Sequence, residues 1–383
     1  VTPYSYTRGW IEKWFGMLRD YNMNHSRLHT HPHPELILDM ADEAGIYITS
    51  ETNMHGSGSG QAAADIRYWQ NGQEHVRNLV KREKNHPCVI LYSCGNELRW
   101  NCRENELMKK ETPKIRALFN ELDPTRIAYH EGDSSLWDES TQEMLSRHYG
   151  KDASGIGWWD KTRPLNSGEM CLYHYLGHNN MLQFIGDDAW REYDRLAAAA
   201  TKDLVYVVED ARSNGVCCLG PWNISCHMNL RPHGEKTFTY KDFTEPGMKP
   251  LFVKEGVSEF DYWSRNAGKG YITQPGTEDA ALAFRPLAAI DRSRRSGYYP
   301  GAPIEREIYL VNDTAGEVKG VFTCAIKRGS SVLCRYSCKV ELGRGETKKL
   351  NFTLKPIGKC GRFKQVLTFR SGLRTLERRE KPI

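Results

Sequence analysis

The chain reads as an α/β unit followed by a smaller all-β unit, and three observations carry that reading. Over residues 25 to 222, short apolar β-branched runs alternate with stretches whose apolar positions recur every three or four residues, the pattern of parallel strands crossed by helices. From about Pro246 the helical periodicity fades, and alternating runs separated by Gly-, Asp- and Lys-rich turns take over. The length, 383 residues, suits two or three cores better than one. The predicted domains are therefore 1–240, the α/β unit, and 241–383, a linker with an antiparallel sandwich of immunoglobulin-like size.

Each element follows from local pattern. The run at His25–His29 is a strand. Pro34 starts a helix with Leu36, Ile37, Met40, Ala41 and Ala44 on one face, and Gly45 ends it. Ile46–Thr49 is the next strand, and a Gly/Ser-rich loop from His55 to Gly60 leads to a helix carrying Val76, Leu79 and Val80, which Pro87 stops. Cys88–Ser93 is a strand, Ile115–Leu122 belongs to a helix, and Arg126–His130, Met144–Tyr149, Leu165–Glu169 and Val216–Trp222 complete seven predicted strands. In the second unit the alternating runs are Glu307–Val311, Gly320–Ile326, Ser331–Tyr336, Lys349–Leu354 and Lys364–Phe369. The basic residues Arg370, Arg374, Arg378, Arg379 and Lys381 read as a solvated face or a frayed end.

Composition excludes several function classes. With 53 basic against 48 acidic residues the net charge is +5, too balanced for nucleic acid to be the main partner. No apolar run approaches the ~18 residues of a membrane-spanning helix, so no membrane partner is expected and the chain reads as soluble. Eleven cysteines without a CxxC pair argue against zinc ribbons and redox motifs; they read as reduced thiols, with bridges among Cys324, Cys334, Cys338 and Cys360 left open. Ten Trp and nineteen Tyr supply flat rings of the kind that stack on sugars or bases. The chain starts at Val1 and not at Met, so cytoplasmic, periplasmic and secreted locations all stay open, as does oligomeric state.

The segment His86-Pro87-Cys88-Val89-Ile90-Leu91-Tyr92-Ser93-Cys94-Gly95-Asn96-Glu97 concentrates the chemistry. A buried parallel strand runs into a glycine and then presents an amide and a carboxyl at its C-terminal end, where α/β barrels build their sites. Apolar surroundings can keep such a carboxyl protonated as a general acid, and the amide can hold a hydroxyl. The competing reading is a loop-capping Asn-Glu pair.

This stretch resembles the acid/base signature of family 2 glycoside hydrolases, typically "NHPSVILWSLGNE". Asn24–Pro34, through Asp42-Glu43-Ala44-Gly45 to Glu51, resembles the family's arginine-led strand, "D-E-x-G" helix end and strand closing on glutamate. The resemblance implies a TIM (β/α)8-type barrel followed by an Ig-like β-sandwich. If His25 opens barrel strand two, then Glu97 ends strand four and Glu169 strand seven, and the expectation is a barrel without its first strand in a chain whose N-terminal domains are missing. Arg163-Pro164-Leu165-Asn166-Ser167-Gly168-Glu169 resembles the family's "KPLVxGE", which makes Glu169 the expected nucleophile; Asp187, Asp188 and Glu209 are its competitors.

What the resemblance implies is a retaining β-glycosidase. Glu169 attacks the anomeric carbon, Glu97 protonates the leaving oxygen, and Asn96 holds the 2-hydroxyl. By the same carry-over Arg27 orients the carboxylates, His29 or His31 contacts substrate, Tyr149 bonds the nucleophile, and Trp222 lies under the sugar. Glu51 matches a magnesium-binding position, with His55 as a possible companion at an altered spacing; otherwise no cofactor is required. The expected partner is a carbohydrate, first a β-galactoside, with β-glucuronide and β-mannoside as alternatives. A non-catalytic or degenerate carbohydrate-binding fragment is the rival from another class.

Overall fold

The computed structural model describes residues 7–55, 62–101, 105–133, 142–149, 159–170, 182, 185–191, 193–221, 230–232, 237–239, 252–254, 271–273 and 276–383, without 192, 294 and 296. Two units emerge, one of Val1–Val207 with Val216–Ala281 and one of Val208–Gly215 with Leu282–Ile383. The predicted boundary between 240 and 241 lies outside the described residues. Among the described residues no helix is long and apolar enough to cross a membrane.

The first unit is built on a parallel sheet of β1 (His25–Leu28), β2 (Tyr47–Glu51), β3 (Val89–Asn96) and β4 (Ile127–Glu131), paired in that order. Four of its helices are α1 (Arg8–Asp20), α2 (Glu35–Ala44), α3 (Ile66–Glu83) and α4 (Glu106–Leu122). Each turns an apolar stripe inward: Ile11, Phe15 and Leu18 from α1, Ile37, Leu38 and Ala41 from α2, Trp69, Val76 and Val80 from α3, and Ile115 and Phe119 from α4. They share a core with Ile48, Val89 and Tyr92 of the strands, and the Tyr92 and Phe119 rings stack with centroids 4.9 Å apart. Local chemistry starts two of these helices: Asp65 accepts from the Arg67 amide at 2.9 Å, and Asn105 from the Met108 amide at 2.8 Å.

A second, shorter parallel pair continues the succession, β5 (Leu145–Ser146) with β6 (Leu165–Asn166). Parallel bridges from Asn166 to Cys217 and from Met170 to Pro221 mark the last predicted strand, whose Trp222 lies outside the described residues. β5 is shorter than the predicted 144–149, although the Arg147 and Tyr149 amides still donate to the Asn166 and Glu169 carbonyls at 2.9 and 2.7 Å, and the left-handed Tyr149, φ 53°, turns the chain away. In contrast, β2, β3 and β4 run further than predicted and end on Glu51, Asn96 and Glu131. Polar and acidic residues close these strands because the C-terminal rim is where their side chains meet.

The second unit is a pair of antiparallel sheets. One sheet holds β7 (Leu287–Asp291), β8 (Ile304–Asn312) and β11 (Thr347–Leu354) in the order β7-β8-β11; the other holds β9 (Val318–Arg328), β10 (Ser331–Leu342), β12 (Lys364–Ser371) and β13 (Arg374–Pro382) in the order β10-β9-β12-β13. Ile304, Ile308, Leu310 and Leu354 meet Phe322, Cys324, Ile326, Leu367 and Phe369 in its core. The charged tail is no frayed end. Arg374–Pro382 pairs with β12 along its length, Lys381 contacts Asp291 at 2.6 Å, and Arg379 bonds Glu209. Cys324, Cys334, Cys338 and Cys360 are free thiols, so no bridge forms among them.

Candidate active site

The site lies at the C-terminal ends of the parallel strands of the first unit, and Arg27 of β1 organises it. Its guanidinium bonds both oxygens of Glu51 (2.8 and 3.1 Å), Glu169 Oε1 (2.9 Å) and Asn96 Oδ1 (2.7 Å), and Glu131 Oε2 lies 3.6 Å away. Four segments thus converge on the cation of a fifth. The fork geometry serves two planar partners at once, which a lysine could not do. Burial opposes the charge, but Glu51, Glu131 and Glu169 outweigh it and raise the Arg27 pKa further.

Glu169 ends the turn after β6. It receives Arg27 and the Tyr149 hydroxyl, and His29 Nε2 and His148 Nδ1 stand 3.4 and 3.6 Å from its oxygens. Burial would raise its pKa, yet His29, His148 and Arg27 hold it well below the usual carboxylate range, so Glu169 is an anion at neutral pH. The Tyr149 phenol is pushed up, by burial first and then by Glu169, and stays a donor.

Glu97 follows Asn96 with φ 47°, and its amide donates to the Glu131 carbonyl at 3.0 Å. A left-handed glutamate costs about 1–2 kcal/mol. In return the chain turns sharply enough for Asn96 to face Arg27 and His29 while Glu97 meets His148 at 2.7 Å. Arg27 takes the Asn96 carbonyl oxygen, which leaves the amide nitrogen directed toward His29 at 3.4 Å.

Two residues of the cluster escaped sequence reasoning. Glu131, fully buried, accepts from Tyr129 (2.5 Å), Ser146 (2.5 Å) and Asn166 (3.0 and 3.1 Å), and pairs with His148 at 3.1 Å. Burial works against its charge, but Arg27 and His148 bring its pKa down to about 2. The available signal was a third strand ending on an acid, as Glu51 does. His148 sits one position before Tyr149, and attention to the tyrosine passed over it.

Other predicted residues fall as follows. His31 packs edge-on against His33, centroids 4.4 Å apart, whereas His29 reaches Glu169 and Asn96. Asp188 opens a helical turn, and Glu209, within the helix Tyr193–Asn214, is engaged by Arg379. Magnesium does not fit at Glu51: the side chain is fully buried, both oxygens are taken by Arg27, and Thr30 N and Ser93 Oγ complete their shell at 2.6 and 2.7 Å. A dication there would abut a guanidinium. Among the described residues the groups whose ligand-type atoms converge within 4.8 Å are Glu97–His148–Glu169 and Asp42–His86–Cys88.

Residues 7–162 match the family described as glycosyl hydrolases family 2, TIM barrel domain. The chain is similar to a β-galactosidase of Clostridium acetobutylicum, 30% identical over 174 residues, covering 42% of this chain and 18% of that protein. It is also similar to a β-galactosidase of Priestia megaterium, 26% identical over 174 residues, covering 43% and 16%. The chain spans about a fifth or less of the length of these curated relatives. In fold it is similar to the crystal structure of a β-D-mannosidase from Dictyoglomus thermophilum, with a TM-score of 0.58 at 14% identity over 97% of this chain and 47% of that one.

Proposed function

From the premise that this chain belongs to glycosyl hydrolase family 2 by its barrel segment, we propose that it hydrolyses terminal β-linked sugars with retention of configuration. The observation that carries the reading is the approach of Glu97 and Glu169, each of which brings one carboxylate oxygen to within 4.8 Å of the other's beside His148. A double displacement needs carboxyl groups about 5–5.5 Å apart, whereas inversion needs roughly 6.5–9.5 Å to admit a water between them.

The roles follow from the environments. Glu169, held ionised by Arg27, Tyr149, His29 and His148, attacks the anomeric carbon. Glu97 gives its proton to the leaving oxygen, then takes one from the water that releases the sugar. Asn96, oriented by Arg27, offers its amide to the 2-hydroxyl. Trp222 is proposed as the stacking platform, and His29 as the histidine that meets substrate. A β-galactoside is the first substrate because the curated relatives are β-galactosidases; β-glucuronides and β-mannosides are the alternatives.

The test is intact mass after incubation with 2-deoxy-2-fluoro β-galactoside, β-glucuronide and β-mannoside donors, followed by peptide mapping. An adduct on Glu169 identifies the nucleophile, the retaining course and the sugar together. A folded chain that forms no adduct with any of the three replaces this reading with a non-catalytic carbohydrate-binding one.

A further inference from the structure

The imidazole of His148 lies between two carboxylates. Nδ1 is 2.7 Å from Glu97 Oε1, and Nε2 is 3.1 Å from Glu131 Oε1. The side chain is 3% exposed, so neither contact is made by a surface group passing through one of many rotamers. The backbone makes room for it. Gly132, with φ 74°, would carry a Cβ 2.8 Å from Nδ1 and 3.1 Å from Glu97 Cγ, so any side chain there would wedge the ring from the carboxyl.

Glu131 is in turn immobilised by Tyr129, Ser146 and Asn166, which gives the ring a fixed anchor on the side away from Glu97. We propose that His148 is a positioning residue for the acid/base step: it clamps Oε1 of Glu97 against the Glu131 anchor and steadies the carboxylate that remains once Glu97 has protonated the leaving oxygen. The inference rests on the glycosidase reading above and adds a residue to it.

The proton count closes. As Glu169 bonds the anomeric carbon and the glycosidic C–O bond breaks, the Glu97 proton passes to the departing oxygen, and His148 keeps both of its own. In the second half, water adds to the anomeric carbon, its proton returns to Glu97, and Glu169 leaves as a carboxylate. The ring's charge suits the task. Burial disfavours it, but hydrogen bonds to Glu131 and Glu97 and the nearby Glu169 prevail and raise the His148 pKa to about 9. The other ionisable groups around it are Tyr149, edge-on at 5.7 Å, Asp133, and Arg27 beyond Glu131 and Glu169.

A merely structural histidine and a positioning one differ in leaving-group dependence. On whichever of the three sugars the wild-type chain hydrolyses, His148→Phe should lower kcat/KM about 100-fold for the methyl glycoside and less than about 5-fold for the dinitrophenyl glycoside, which needs little acid assistance. His148→Gln, which keeps one donor, should restore part of the loss on the methyl glycoside. A second readout needs no turnover: with ¹⁵N-histidine labelling, His148 of the wild-type chain should keep both ring nitrogens protonated at pH 8 and lose that state in Glu131→Gln. If His148→Phe does not fold, these signals and His148→Gln decide. Equal losses on both substrates, or a neutral His148 ring at pH 8, overturn the inference while wild-type turnover and the Glu169 adduct leave the glycosidase reading intact. Absence of both turnover and adduct in the wild-type chain overturns the two together.

Discussion

Replacing Gly168 with alanine probes how firmly the buried carboxylates are held. A Cβ at 168 would come 2.1 Å from Glu131 Oε1 and 2.5 Å from its Cδ, well inside the 3.0 Å that real contacts respect. The carboxylate has nowhere cheap to go, since Tyr129, Ser146, Asn166 and His148 all bond it. Nor can the backbone at 168 readily back away, because the Gly220 backbone is packed against it. A displacement of about 1 Å breaks two or three bonds to a buried charge, at about 1–2 kcal/mol each net of relaxation, and adds about 1 kcal/mol of overpacking. The expected destabilisation is therefore about 3–7 kcal/mol, which lowers the melting temperature by roughly 10–20 °C. Because Glu131 anchors His148 and neighbours Arg27, kcat/KM should also fall about 100-fold, the usual consequence of an ångström of misplacement. The control is Gly9→Ala in α1, where a Cβ meets nothing within 4 Å and helix propensity should stabilise by about 0.5–1 kcal/mol. A Gly168→Ala chain that melts within about 2 °C of wild type and keeps its turnover would refute the packing argument.

Further outcomes follow from the same cluster. Glu97→Gln should slow glycosides with poor leaving groups by about 1,000-fold and activated aryl glycosides far less in their first step, which a Brønsted series of aryl aglycones would measure. Arg27→Lys should destabilise by about 3–5 kcal/mol in thermal melts, since one ammonium cannot serve Glu51, Glu169 and Asn96 together and leaves buried carboxylates unpaired. For pH, the His148 pKa rises from 6.5 to about 9 on folding, so its stabilisation is complete below pH 6.5 and fades as pH climbs through 9; melts from pH 6 to 10 should show that decline, and His148→Gln should flatten it. Asp133 acts in the same direction in a lower window: burial lifts its pKa from 3.8 to about 7, so it weakens the fold as pH rises through that window, and Asp133→Asn should raise the melting temperature at pH 8 but not at pH 4.

Much of the molecule was legible in the chain itself. The three-and-four spacing of Leu36, Ile37, Met40 and Ala41, the β-branched run before Gly95, and the alternation in Lys364–Phe369 announce α2, β3 and β12, because steric preference and burial of one face are local properties. Glu97 could be picked out as a strand-end carboxyl, and Glu169 and Arg27 through the family resemblance. Charge misled at the C-terminus: Arg374–Pro382 carries too many ionic side chains to read as a strand, yet its residues pair with β12, and Glu209, Asp291 and Glu380 answer its cations.

Only the tertiary structure could decide which partners each acid meets. Glu51, Glu131 and Glu169 are similar in sequence terms, each closing or following a short strand. Their fates differ because Arg27 saturates Glu51, a ring of hydroxyl and amide donors captures Glu131, and Glu169 alone combines Arg27 with Tyr149 and His29. Those partners lie up to 142 residues apart, and their meeting depends on the register and curvature of parallel strands whose ends converge on one rim. Local pattern determines that a strand forms and which face it buries; the electrostatic environment at its end is a sum over groups delivered by other strands, and that sum exists only once the sheet has closed upon them.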